Sequence, residues 1–202
     1  KVIIMDRRNL GRSEVSFANA EPLSGEEAED LHVLLQRLDI DSAIFYGMSS
    51  GSRSNMVLAE RYPEQVDALI IAPLTGGPIA AQRLSEEYFL SYLRDDSLTS
   101  MEAVAQTPLW KGYMERNSPE LQKIFMEQNI DDFLATMKMT GEFLASFHAK
   151  TTLGMTDEQL MSLEVPATLI LHHGQEIDFL HPKVNARAAT TLLQNSTFKI
   201  AP

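Results

Sequence analysis

Ser49 stands at the centre of Gly47-Met48-Ser49-Ser50-Gly51, and a short apolar run, Ala43-Ile44-Phe45-Tyr46, leads directly into it. After it comes a stretch with helical character, including Val57-Leu58-Ala59. Strand, sharp turn and helix are the setting in which a Gly-x-Ser-x-Gly serine becomes a nucleophile. The turn lifts the Ser49 hydroxyl clear of the sheet. The two glycines are expected to permit that turn, because side chains there would press on strand and helix. A serine hydroxyl is a weak nucleophile at neutral pH and needs a neighbouring base. The backbone N–H of Ser50 would open the helix and face the oxyanion formed on attack, where one such donor is worth about 3 kcal/mol of barrier. Ser50 and Ser52 rank below Ser49 as nucleophiles, since neither is central to the glycine pair.

The elements that must hold this serine are legible along the chain. Val2 to Met5 reads as a short buried-type strand, followed by a polar loop to Ser24. Ser24 with Glu27 forms a potential capping box, and Leu31, Leu34, Leu35 and Leu38 recur at helical spacing. Ala43 to Tyr46 is the next strand, Ser50 to Arg61 the next helix, and Ala68 to Ala72 a third strand. Continuous apolar strands alternating with helices predict an α/β fold, a mostly parallel sheet with helices on both faces. Residues 76–155 carry no strong strand signal and read as a helical insertion, with Ser118-Pro119 as one helix start. The alternation then resumes. Thr156 with Gln159 is a second capping box, Thr168 to Leu171 a strand, Pro182 to Leu193 a helix, and Phe198 to Ile200 a strand. The chain divides into a first core part (1–75), a helical cap (76–155) and a second core part (156–202).

Composition bounds the partners. The 202 residues suffice for one sizeable core, and 44% hydrophobic with 22% charged residues is ordinary for a globular protein. Seventeen basic against 28 acidic residues give a net charge of −11. That disfavours nucleic acid, whose phosphates want a basic face. No run approaches the roughly 18 apolar residues that a membrane span requires. There is no cysteine, hence no disulfide and no thiolate chemistry, which fits a reducing compartment such as the cytoplasm. Gly76-Gly77-Pro78 lacks nucleotide-loop spacing and reads as a hinge, so no cofactor is expected. His172-His173 with Glu176 and His181 could suggest a metal cluster, but a catalytic loop accounts for the same residues, and no metal is expected.

Asp6-Arg7-Arg8-Asn9-Leu10-Gly11-Arg12-Ser13, then a helix, then the Ser49 pattern, resembles the α/β-hydrolase fold family, especially the serine hydrolases with a helical cap. Asn9 stands where the family usually has glycine, a substitution an asparagine in a left-handed turn tolerates. The resemblance implies a structural role for this loop. It also implies an acid after the late strand, in a Gly-x-x-Asp-x-x-x-Pro loop. Here the loop is Gly174-Gln175-Glu176-Ile177-Asp178-Phe179-Leu180-His181-Pro182, one residue longer, and Asp178 is the first choice with Glu176 second.

The family's base is a histidine just after the last strand. The five histidines here are His32, His148, His172, His173 and His181. None is expected to serve: His32 reads as packing on its helix, His148 as a helix end, and His181 as shaping the loop before Pro182. Both ends read as cut within a fold. The base is therefore expected past Pro202, the second oxyanion donor in absent N-terminal strands, and the 202-residue chain is expected to be inactive alone.

The resemblance thus implies a serine hydrolase acting on an ester or related carbonyl through an acyl-enzyme at Ser49. Phe89, Trp110, Phe125, Met126, Phe133, Met137, Phe143 and Phe147 would either roof a pocket for an apolar moiety of a small-molecule substrate or pack the cap on the core. The alternative is a non-catalytic protein of the same fold that binds a small molecule or a partner.

Overall fold

The computed structural model describes residues 1–175 and 177–201. Helix α1 (Leu23–Arg37) leads to strand β1 (Ala43–Gly47), helix α2 (Ser50–Arg61) and strand β2 (Val66–Ile71). Five helices follow: α3 (Pro78–Tyr88), α4 (Met101–Ala105), α5 (Pro108–Arg116), α6 (Pro119–Met126) and α7 (Ile130–Ala145). Helix α8 (Asp157–Ser162), strand β3 (Thr168–His172), helix α9 (Lys183–Leu192) and strand β4 (Ser196–Ile200) complete the described chain. The four strands form one parallel sheet in the order β1-β2-β3-β4. The fold is α/β, as the apolar strands and intervening helices predict.

Register explains the core. Phe45 lies opposite Leu69, and Leu69 opposite Thr168; Ile71 lies opposite Ile170, and Ile170 opposite Phe198. Side chains in one such row share a face. Phe45, Leu69, Ile71 and Ile170 are buried against Val57 and Leu58 of α2 and Ala186 and Ala189 of α9. Each large aliphatic side chain so buried contributes about 1.5–3 kcal/mol, which is what holds helix to sheet. On the opposite face Ile44 and Tyr46 stay exposed.

The segment between β2 and β3 is helical, as its lack of strand signals predicts. Proline in the first turn starts α3, α5 and α6. Its missing N–H falls where helix amides lack partners anyway. Side-chain oxygens of Ser100, Ser118 and Asn129 cap α4, α6 and α7. Trp110, Phe125, Phe133 and Met137 form a core of their own in this segment. Phe17 enters it from the loop before α1, meeting Trp110, Phe125 and Phe133 edge to face at 5.6, 6.1 and 5.0 Å. Thr136 Oγ1 donates to the Phe17 carbonyl, so the loop is tied to α7 by backbone as well as ring. These large side chains are packing residues.

Two local expectations change. Val2 to Met5 is not hydrogen-bonded into the sheet, and Val2 and Ile4 are largely exposed. An apolar run becomes a strand only where a ladder partner meets it, and β1 does not pair with it. The Ser24–Glu27 box does not form either. The N-cap of α1 is Pro22 without a side-chain bond, and the Glu27 carboxylate turns away to Arg7 and Ser54. A charged partner outcompetes a backbone amide for that carboxylate. The Thr156–Gln159 box forms in full. Asn9 adopts φ 63°, the left-handed turn its replacement of glycine requires, and Arg8 is held by Asp30 and Glu26.

Candidate active site

In a parallel sheet all strand ends of one sense lie on one edge, and there the loops converge. Both the turn after β1 and the loop after β3 leave this edge, with only β2 between them. Two strand spacings amount to about 10 Å. A long loop after β3 can therefore fold back over β2 toward the turn after β1.

The turn is strained at Ser49. Ser49 has φ 52° and ψ −112°, a left-handed backbone uncommon for a residue with a side chain. Such strain clusters at functional positions because the surrounding structure must hold it. The Ser49 N–H donates to the Pro73 carbonyl, and the Ala72 N–H to that of Gly47, tying the turn to the end of β2. Of the two glycines only Gly47 is required by space. A Cβ there would lie 2.7 Å from the Gly51 carbonyl group and 2.6 Å from Asn55 Nδ2, whereas one on Gly51 would meet nothing within 4 Å. The expectation that both positions exclude side chains is thus corrected for Gly51.

The rival serines are otherwise engaged. Ser52 is buried and donates to the Gly47 carbonyl at 2.8 Å. Ser50 Oγ accepts from Arg7 Nη2 at 2.9 Å, and Arg7 also grips Glu27 through Nη1. Ser50 is the first residue of α2, so its N–H is among the amides that a helix leaves without an internal acceptor. One turn on, Arg53 has its Nε buried without a partner. Burial pushes its pKa down to about 10, Glu27 acting to raise it and Arg7 to lower it.

The loop after β3 brings Asp178 to this turn. Its Oδ1 accepts the backbone N–H groups of Leu180 and His181, at 2.9 and 3.0 Å. That local turn closes the loop back on the carboxylate. Its Oδ2 accepts from His181 Nδ1 at 2.9 Å and from His173 Nε2 at 2.8 Å. Burial pushes the Asp178 pKa up, but the bonds from His181, His173 and the two amides outweigh it and hold the carboxyl far below its usual range. Glu176, the second candidate acid, lies outside the described residues.

His181 Nε2 reaches Ser49 Oγ at 2.9 Å. The expectation that none of the five histidines reaches Ser49 is therefore corrected: Ser49, His181 and Asp178 form one hydrogen-bonded line. With Nδ1 donating to the carboxylate, Nε2 carries the lone pair that accepts the serine proton. His172, buried in β3, donates from Nε2 to the His181 carbonyl and accepts the Gly174 N–H at Nδ1. It fixes the backbone from which His181 projects. His32 stacks on Tyr62 and bonds Gln65, away from this line. The Asp-x-x-His spacing was the signal for His181, since a turn closed on an aspartate returns the residue three places on to the same side. Arg7 gave no signal, as its partners Glu27 and Ser50 are 20 and 43 residues away.

No protein-family model and no curated protein matches the chain. Solved structures do. A hydrolase from Pseudomonas aeruginosa PA01 is 21% identical, with a TM-score of 0.58 over 98% of this chain and 69% of that one. Est816, described as an N-acyl homoserine lactone degrading enzyme, is 18% identical, with a TM-score of 0.58 over 97% and 72%. A thermophilic esterase from Thermogutta terrifontis is 20% identical, with a TM-score of 0.56 over 98% and 69%. This chain has the α/β-hydrolase fold. Among the described residues no helix is long and apolar enough to cross a membrane.

Proposed function

We propose that this protein is a serine hydrolase that cleaves an ester or related carbonyl compound through an acyl-enzyme at Ser49. The observation that carries the reading is the line Ser49 Oγ, His181 Nε2, His181 Nδ1, Asp178 Oδ2, with 2.9 Å at both hydrogen bonds. His181 accepts the Ser49 proton as Oγ attacks the carbonyl carbon. The Ser50 N–H stabilises the oxyanion. The imidazolium, steadied by Asp178, returns the proton to the leaving alcohol. A water activated by the same ring then releases the acid. The hydrolase and esterase descriptions of the structural neighbours support this reaction class. Exposed Met48 and Phe179, beside Ser49 and within the acid loop, support a substrate with an apolar moiety. In this reading residues 76–155 act as the cap, and His181 takes the role that the family resemblance gives to a histidine after the last strand.

The test is turnover of short activated esters, acetate to butyrate, by the chain and by its Ser49→Ala variant. Loss of turnover in the variant supports the reading. Equal turnover in both sinks it.

A further inference from the structure

We propose that His173, Asp178 and His181 also form a binding site for a zinc-class divalent cation, and that its occupation switches Ser49 off. The effect on catalysis rests on the hydrolase reading above; the site itself does not. His173 Nε2 and His181 Nδ1 both point at the same oxygen, Asp178 Oδ2, from 2.8 and 2.9 Å. The three ligand atoms lie within 4.8 Å of one another. Two imidazoles and a carboxylate are a donor set zinc accepts, and three protein ligands leave its fourth position for water. The carboxylate is already oriented, because its other oxygen is held by the N–H groups of Leu180 and His181. His173 is exposed and gives an ion access from solvent. A cation on this trio replaces the two protons that now bridge the histidines to Asp178, and each nitrogen, now 2.8 or 2.9 Å from Oδ2, needs to draw back by only roughly half an ångström for a zinc ion to sit between them.

The consequence follows from proton position. A neutral imidazole carries one proton. In the working form it sits on His181 Nδ1 and leaves the Nε2 lone pair facing Ser49 Oγ. A cation on Nδ1 moves that proton to Nε2, which then donates to Ser49 and no longer accepts from it. The base is lost with no atom of Ser49 displaced. His173 makes the same shift, from Nε2 to Nδ1, and gives up the exposed bond it accepts from the Gln175 N–H. Hydrolysis and cation binding use the same atoms and exclude each other.

Calorimetric titration of Zn²⁺ into chelator-treated Ser49→Ala protein tests the site without reference to activity. The expected result is stoichiometric binding with micromolar or tighter affinity, weakened at least about tenfold by adding His173→Gln, which keeps an N–H for Asp178 but offers no imidazole. In parallel, ester turnover by the wild type falls in step with Zn²⁺ occupancy and returns on adding EDTA. Absent binding, or binding unchanged by His173→Gln, overturns the site even if the enzyme is active. Retained turnover at full occupancy overturns the switch. A wild type without esterase activity that still binds Zn²⁺ through His173 upholds the site while the hydrolase reading fails.

Discussion

His181 Nε2 and Ser49 Oγ meet at 2.9 Å although 132 residues separate them in the chain. The whole helical segment from α3 to α7 is threaded between the two. Their meeting depends on the parallel sheet, which turns the ends of β1 and β3 to one edge, and on the Asp178 turn, which aims the ring back toward β1.

If these residues act as a unit, removing any one removes most of the function. His181→Gln and Ser49→Ala should each lower kcat for an activated ester by about 10⁴-fold or more, and Asp178→Asn by about 10⁴-fold. The double variant Ser49→Ala/His181→Gln should be no slower than either single one. Steady-state kinetics, with circular dichroism to verify folding, makes the check. A His181→Gln protein at the wild-type rate would transfer the base elsewhere, as the family resemblance implied.

Asp178 makes a pH-dependent contribution to stability. Its pKa in the fold lies below the reference 3.8, where an unfolded aspartate titrates. A depressed carboxylate stabilises the folded form above the unfolded pKa, and that contribution is lost as pH falls toward the folded value. At pH 7 Asp178→Asn should be less stable by about 2 kcal/mol, the scale of hydrogen bonds to a charged group. The gap should persist to pH 4 and close only in stronger acid. Urea denaturation of both proteins across this range measures it; a gap independent of pH contradicts the assignment.

The glycines of the elbow should not be equivalent. Gly47→Ala forces a methyl group onto the Gly51 backbone and should cost about 1–3 kcal/mol together with the geometry of the Ser49 turn. Gly51 meets open space at the start of α2, so Gly51→Ala should be neutral or stabilising by up to about 1 kcal/mol. Thermal melts of the two variants decide; similar losses at both sites would refute the difference.

Arg53 should be a site of stabilisation. Its folded pKa is pushed down from 12.5 to about 10 by burial, so below that pH Arg53 is still charged in the fold, and holding the charge there costs stability relative to the unfolded chain. Glu27, the carboxylate that could offset it, is already held by Arg7 and Ser54. Arg53→Met removes the charge and the unpaired Nε while keeping a long side chain. Stability at pH 7 should rise by about 1 kcal/mol. A loss of comparable size in urea titration would mean that Arg53 has a compensating role.

The local signals determined much of this protein. Apolar runs marked β1, β2 and β3 to within two residues, because strands inside a parallel sheet are built from such runs, whereas β4 begins two residues before its run and carries Lys199. Proline and serine marked the start of α6, and Thr156 with Gln159 the start of α8, because capping is settled within four residues. The Gly-x-Ser-x-Gly pattern selected Ser49, and counting back from Pro182 selected Asp178. What lay between local signals needed the tertiary structure. Glu27 had the spacing of a capping box, yet Arg7 drew it elsewhere. Val2 to Met5 had the composition of a strand but no ladder to join. His181 carried a local signal for Asp178, three residues back, but none for a serine 132 positions away. Composition and spacing act over a few residues, whereas the approach of His181 to Ser49 is set by how β1, β2 and β3 pair.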